Sequence, residues 1–291
     1  MNEIIQLSEE QHRYLQLNEL QLLVEVDRIC RKYNIDYSLD GGTLLGAIRH
    51  QGFIPWDDDA DVVFTRLEYA KFYEACKADL NTADFFLQEY RTDPHYRWGH
   101  AKMRLKDTEF VRSGQENLKY KTGICIDIFV LDHVPDDPVL RRIIYLYNIL
   151  LRKISYSEIG KDKGNNILLR GLYHILYKIP RDQVFNLRNI EARKYNKKKT
   201  RLVSHLLFPY PRRACKYGIP ARFFTKYTEV VFEGMKFKAI AEYDKYLTLL
   251  YGDYMTPPAE SERNNSNAAS KIRTKEMTLK EIQDRYEKDN K

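Results

Sequence analysis

Cysteine is scarce in this 291-residue chain, and the four present (Cys30, Cys76, Cys125, Cys215) stand far apart. No CxxC pair exists, which excludes a zinc knuckle or a redox pair and leaves reduced thiols in a cytoplasm as the simplest expectation. Long apolar runs are also missing. Every hydrophobic stretch is broken by charge well short of the ~20 residues needed to span a bilayer. Residues 1–10 are acidic and polar, with no basic region leading into an apolar stretch, so a secretory signal is not expected. The chain lacks a GxxxxGK[ST] phosphate loop, a GxGxxG fingerprint, an HExxH zinc helix and a GxSxG nucleophile elbow. Internal repeats are absent too.

What is present suits a folded protein. Hydrophobic residues make up 43% and aromatics 13%, too rich for a disordered chain. Net charge is +7 but unevenly spread. Residues 138–227 hold 21 Lys and Arg against 4 Asp and Glu, a net of +17, which leaves −10 on the remainder. Such asymmetry predicts a basic face and an acidic centre elsewhere. A basic face suits nucleic acid, anionic lipid or a phosphorylated substrate. A solvated helical surface is the plain alternative.

The periodicity predicts a mixed α/β core. Ser8 to Asn34 reads as an amphipathic helix opened by a Ser8/Gln11 capping box. A short strand over 35–39 runs into Asp40-Gly41-Gly42-Thr43, and a short helix follows over 44–50. Pro55 marks a loop. Asp57 to Phe64 reads as a strand entered through acidic residues, and 67–80 as a helix. Strands are expected at 85–90, 99–106, 109–112 and 124–131. Helices follow at about 139–154, 166–178 and 183–197, then a hairpin around Glu233-Gly234 and helices at 239–251 and 277–289.

Two patterns carry chemistry. Alternation along a strand puts Asp57, Asp59 and Asp61 on one face, roughly 6.5–7 Å between neighbours. Three such carboxylates suit a hard cation, since like charges on one short strand repel. Asp127 lies inside an apolar strand, where a carboxylate needs a partner or a metal. The plain alternative for both is a hydrogen-bonded or ion-paired network. The second pattern is the glycine turn before a helix, which lets phosphate approach backbone N–H groups. Arg49 on that helix can grip phosphate bidentately. Lys102 and Arg104 alternate on their strand, share a face with His100, and could hold a diphosphate.

The stretches Leu39–His50 and Gly52–Asp61 resemble the LicD family of phosphotransferases. That family includes bacterial phosphocholine transferases and, more distantly, the fukutin-related ribitol-phosphate transferases. The resemblance continues at Ile126-Asp127-Ile128-Phe129, Phe232-Glu233-Gly234 and Tyr251-Gly252-Asp253-Tyr254-Met255 with Pro257-Pro258. It implies a nucleotidyltransferase-like mixed sheet core with helices. It further implies transfer of a phospho-alcohol, phosphocholine or a polyol phosphate, from a CDP-activated donor to a sugar hydroxyl of a glycan, with release of CMP. Residue by residue, Gly42, Thr43 and Arg49 match the nucleotide-phosphate turn and helix. Asp59 and Asp61 match the principal ligands of Mg²⁺ (or Mn²⁺), Asp57 a third, and Asp127 the additional carboxylate. The chain departs from the family in having no histidine just after Pro257-Pro258 and no proline just after the Phe-Glu-Gly hairpin.

The expected organisation is a catalytic core over 1–137, a basic helical region over 138–228, a segment over 229–258 completing the core, and a polar tail over 259–291. The expected setting is cytoplasmic, with peripheral contact at the inner membrane face through the apolar and basic helices of 139–178, where a lipid-linked glycan would be presented. No nucleic acid is expected as partner. The competing reading is a basic nucleic-acid- or membrane-binding module with a structural acidic strand, its rings supplied by Tyr145, Tyr147, Tyr173 and Tyr177.

Overall fold

The computed structural model describes residues 5–206, 210, 216–263 and 269–289. Cys215 lies outside the described residues. The other three cysteines are free thiols.

The chain opens with α1 (Glu9–Lys32), which carries the full Ser8/Gln11 capping box and buries Leu15, Leu22, Val26, Ile29 and Cys30. Next come β1 (Ser38–Leu39), α2 (Gly41–His50), β2 (Asp61–Thr65) and α3 (Arg66–Asp79). The strands β3 (Phe85–Gln88), β4 (Ala101–Leu105), β5 (Glu109–Arg112) and β6 (Cys125–Val134) follow. The basic region supplies α4 (Pro138–Lys163), α5 (Ile167–Tyr177) and α6 (Arg181–Asn196). It is not helical throughout. Its end returns to the sheet as β7 (Leu202–His205) and β8 (Ile219–Pro220). The chain closes with the hairpin β9 (Tyr227–Phe232) and β10 (Met235–Ile240), then α7 (Tyr243–Tyr251), β11 (Ala269–Arg273) and α8 (Leu279–Asp289).

Seven strands form one mixed sheet in the order β1-β2-β6-β4-β3, with β7 also on β6 and β8 beyond it. This is the α/β class expected from the alternating pattern. β6 is its axis. It runs parallel to β2, with Asp61 opposite Asp127. Its other edge is shared by β4, opposite residues 125–128, and β7, opposite 131–134. A ten-residue strand with apolar side chains on both faces suits this central position. The main core fills the space between the sheet, α1, α2, α3 and the hairpin.

Three differences from the sequence reading bear on the site. α2 begins at Gly41 rather than at residue 44, and Gly41 takes φ +51°, open to glycine at little cost. β2 begins at Asp61, so Asp57, Asp58 and Asp59 lie in the loop ahead of the strand and not along its face. The tail is tied down: β11 pairs with β5, and α8 meets α1 through an Arg285–Glu25 ion pair of 3.3 Å.

Candidate active site

The loop bearing the aspartates is held from both ends. The Asp57 N–H donates to the Ile54 carbonyl at 2.9 Å. The Asp57 carbonyl accepts from His12 Nε2 at 2.9 Å and from Gln16 Nε2 at 3.1 Å, both on α1. At the other end the Asp61 N–H donates to Thr43 Oγ1 at 2.8 Å. The hairpin braces the start of the loop. Glu233 grips Arg13 with both carboxylate oxygens and accepts from the Phe53 N–H at 3.2 Å. Phe232 meets Phe53 edge-on, ring centroids 4.8 Å apart. The Phe-Glu-Gly segment and the aspartate loop, distant in sequence, form one unit.

The glycine turn and the acidic loop also meet. A Cβ on Gly42 would fall 2.6 Å from Asp57 Oδ2, and one on Gly41 would fall 3.3 Å from Asp61 Oδ2. The positive end of the α2 dipole therefore faces two carboxylates. One carboxylate oxygen from each of Asp57, Asp58 and Asp59 lies within 4.8 Å of the others. Burial, then the Asp59 charge, pushes the Asp57 carboxyl up to about 7. Asp61 is raised by burial and by Asp59, Asp127, Asp40 and Asp57. Glu19 of α1, fully buried, is raised well above the usual range by burial and by the three loop aspartates. Such an all-oxygen donor set, strained by its own repulsion, fits a hard divalent cation.

Across the site, Lys102 lies opposite Asp127 on the neighbouring strand and forms an ion pair with it. His100 Nε2 is 3.3 Å from the other Asp127 oxygen. Burial alone would raise Asp127, but Lys102 and His100 hold it well below the usual carboxylate range. A cavity of about 240 Å³ opens here, with Asp58, Asp59, Asp127 and Glu19 against Lys102, Arg104, Arg112 and Arg152. Arg104 is fixed by Gln88 and by the Gly123 carbonyl.

The structure thus brings together Asp57, Asp59, Asp61, Asp127, Lys102 and Arg104, with Gly42 and Thr43 directly behind them. Arg49 stands apart. It lies seven residues beyond Gly42, roughly 10 Å along α2 at ~1.5 Å per residue. Its Nη1 donates to the Tyr254 carbonyl at 2.9 Å. Trp56 packs on the core under the Arg263 guanidinium, 4.5 Å from its ring centre. Sequence reasoning missed Asp58, Glu19, Arg112, Arg152 and Tyr251. Tyr251 Oη would lie 3.7 Å from a Gly41 Cβ. Asp58 was hidden by the strand alternation assumed for the loop, and Glu19 by its place among the core positions of α1. Arg152 is one of many cations on a helical segment. Three of the four tyrosines of the competing reading serve packing: Tyr173 is buried, Tyr145 meets Tyr217 at a tilt with ring centroids 4.3 Å apart, and Tyr147 packs on the α4–α6 cluster, whereas Tyr177 is exposed beneath Arg97 and Lys161.

Residues 34–137 match the LicD/FKTN/FKRP nucleotidyltransferase domain family. The chain is 32% identical over 268 residues to the lipopolysaccharide cholinephosphotransferase LicD of Haemophilus influenzae, covering 86% of this chain and 94% of that protein. The chain belongs to the LicD family. As a LicD-family protein it is a phosphotransferase, and the matched domain contains the glycine turn, the acidic loop, Lys102 and Asp127. Two uncharacterised proteins, from Rickettsia prowazekii and Rickettsia typhi, are each 50% identical over 46 residues, 16% of this chain. Among the described residues of this LicD-family chain, no helix is long and apolar enough to cross a membrane.

Proposed function

We propose that the chain transfers a phospho-alcohol, phosphocholine in the first instance, from a CDP-activated donor to a sugar hydroxyl of a lipopolysaccharide-type glycan. The observation that carries this reading is the cavity where Asp58, Asp59 and Asp127 face Lys102, Arg104, Arg112 and Arg152. Carboxylates opposite a cluster of cations suit a diphosphate bound together with a metal. The Haemophilus relative, matched along nearly its whole length, supports choline phosphate and lipopolysaccharide as the first pair to test.

Asp57, Asp58 and Asp59, with Asp61 behind them, would hold Mg²⁺ or Mn²⁺. When bound, the ion would neutralise carboxylates and diphosphate alike. The side chains supply the rest. Lys102 and Arg104 orient the diphosphate. The acceptor oxygen attacks the phosphorus bearing the alcohol, the bond from that phosphorus to the CMP oxygen breaks, and CMP leaves. The hydroxyl proton passes to a carboxylate. Asp57 and Asp127 are the candidates; Asp127 lies outside the loop that would hold the metal, and Lys102 and His100 keep it ionised and able to accept the proton.

We place the acceptor at a membrane surface. On α4 and α5 the apolar residues Ile143, Leu146, Leu150, Ile167, Leu168 and Ile175 are each at least half exposed. Arg142 and Arg170 flank them in solvent. An apolar face edged with cations suits an anionic interface. Arg141, on the same basic helix, is not part of that edge: it is buried and donates to the carbonyls of Pro135, Asp136 and Lys216.

The test is CMP release from CDP-choline and a panel of other CDP-alcohols, with Mg²⁺ and candidate glycans. Asp59→Asn should keep the fold and lose turnover, a ligand to a catalytic metal being worth several kcal/mol of transition-state stabilisation. EDTA should do the same to the unaltered protein. Normal turnover in Asp59→Asn, or in chelator, would remove the metal from the reading.

A further inference from the structure

A second cavity, about 870 Å³, opens between the start of α3, the C-terminal half of β6 and α6. It meets the carboxylate cavity at Trp98 and His100, which line both. Its walls are strongly cationic, with Arg188, Arg193, Lys197, Lys199 and Arg222 beyond the Arg66 already paired to Asp132. Glu89 is the sole acidic side chain among its described lining residues, and it is taken up by Arg91 and Tyr69.

Arg188 is the telling member. Only 5% of it is exposed, and its Nε has no hydrogen-bond partner. The neighbouring acid, Asp132, has both oxygens occupied, by Arg66 and by Asn196. Burial and the Arg66 charge lower the Arg188 guanidinium to about 10, which leaves it cationic at neutral pH. Arg188 and Arg66 share the single carboxylate of Asp132, so this buried group keeps a net positive charge, which is costly and which a bound anion offsets. Much of the remaining wall is apolar, including Leu67, Tyr90, Val130, Leu131 and Phe224. A buried guanidinium beside apolar walls, with further cations at the exposed rim, calls for a phosphate carried on an apolar body.

We propose that this cavity binds an amphiphilic phosphomonoester, with Arg188 as the buried contact to its phosphate. Because the two cavities adjoin, the ligand is a phosphate-bearing part of the acceptor; this assignment, unlike the binding itself, rests on the transferase reading.

Calorimetric titration of the full chain with hexyl phosphate, glucose 6-phosphate and inorganic phosphate tests it. Hexyl phosphate should bind tightest. Arg188→Gln should weaken it about tenfold or more, as expected for a charged hydrogen-bond partner. The paired variant Lys197→Gln/Arg222→Gln, both exposed positions, should weaken it several-fold and guards against a folding defect in the first. Asp59→Asn should bind hexyl phosphate normally even while turnover is lost, which separates this site from the donor site. Unchanged affinity in both the Arg188 and the paired variant would overturn the proposal. So would loss of binding in Asp59→Asn, since the phosphate would then sit among the carboxylates. Glucose 6-phosphate or inorganic phosphate binding as tightly as hexyl phosphate would overturn the amphiphile.

Discussion

Asp61 stands beside Asp127 in the parallel pairing of β2 with β6, and Lys102 stands on the far side of Asp127 in the antiparallel pairing of β4 with β6. Three strands therefore carry a carboxylate, a carboxylate and an ammonium in a row. The Lys102 charge keeps Asp127 ionised although Asp61 is its neighbour. Removing one partner of a buried pair leaves the other uncompensated, at about 3–5 kcal/mol. Lys102→Met should destabilise the protein by an amount of that order in urea denaturation. Adding Asp127→Asn should restore much of the loss without restoring CMP release. If the double variant is no more stable than Lys102→Met, the pair is not the source of the effect.

Gly42 has an ordinary helical backbone and needs no left-handed φ, so its reason for being glycine is contact. Alanine there would place a methyl group 2.6 Å from Asp57 Oδ2, at the movable end of a side chain. Alanine is also the better helix former. Gly42→Ala should therefore melt at or near the unaltered temperature yet release CMP on the order of 10²-fold more slowly, because misplacing a catalytic group by ~1 Å costs about that much. A variant with full turnover would show that the Asp57 position is not critical.

Glu191 on α6 is buried beneath α4 and accepts from Asn148 Nδ2 at 2.9 and 3.0 Å. Burial raises its carboxyl to about 7. With its folded pKa above its unfolded value, the group's contribution is fully present below about pH 4.5 and is lost as pH rises through about 7. Glu191→Gln removes that loss. The variant should be more stable than the unaltered protein at pH 8, by on the order of 1–3 kcal/mol, and the advantage should vanish near pH 5. Denaturant melts at the two pH values decide it; an advantage independent of pH would point to packing instead.

Membrane contact predicts salt-sensitive flotation with anionic vesicles. Each cation near such a surface contributes roughly 1 kcal/mol, screened beyond about 8 Å at physiological salt. Replacing Leu168, Ile175, Arg142 and Arg170 by Gln should abolish flotation while CMP release to a soluble acceptor persists. Arg141 is left intact because it holds three backbone carbonyls. No association at low ionic strength would remove the membrane from the reading and leave the chemistry untouched.

Local features were legible in the sequence. The capping box and apolar stripe of α1, the glycine turn and the apolar β6 each depend on residues close in the chain, where period and turn chemistry decide the conformation, whereas the Asp57–Asp59 stretch, read as strand, is loop. Strand alternation also put Lys102 and Arg104 on one face with His100, but not that face against the aspartates. Tertiary structure decided what local pattern does not encode. Strand register set Asp127 between Asp61 and Lys102. The return of β7 to β6 turned a segment that reads as basic helix into part of the sheet. The same periodicity in α4 and α5 is compatible with a buried or an exposed face, and only the packing of neighbouring elements left Leu168 in solvent while burying Arg141. Arg188 shows the limit most clearly. In sequence it is one cation among 21 in a basic stretch, and only its burial, with an unpartnered Nε and a carboxylate shared with Arg66, distinguishes it.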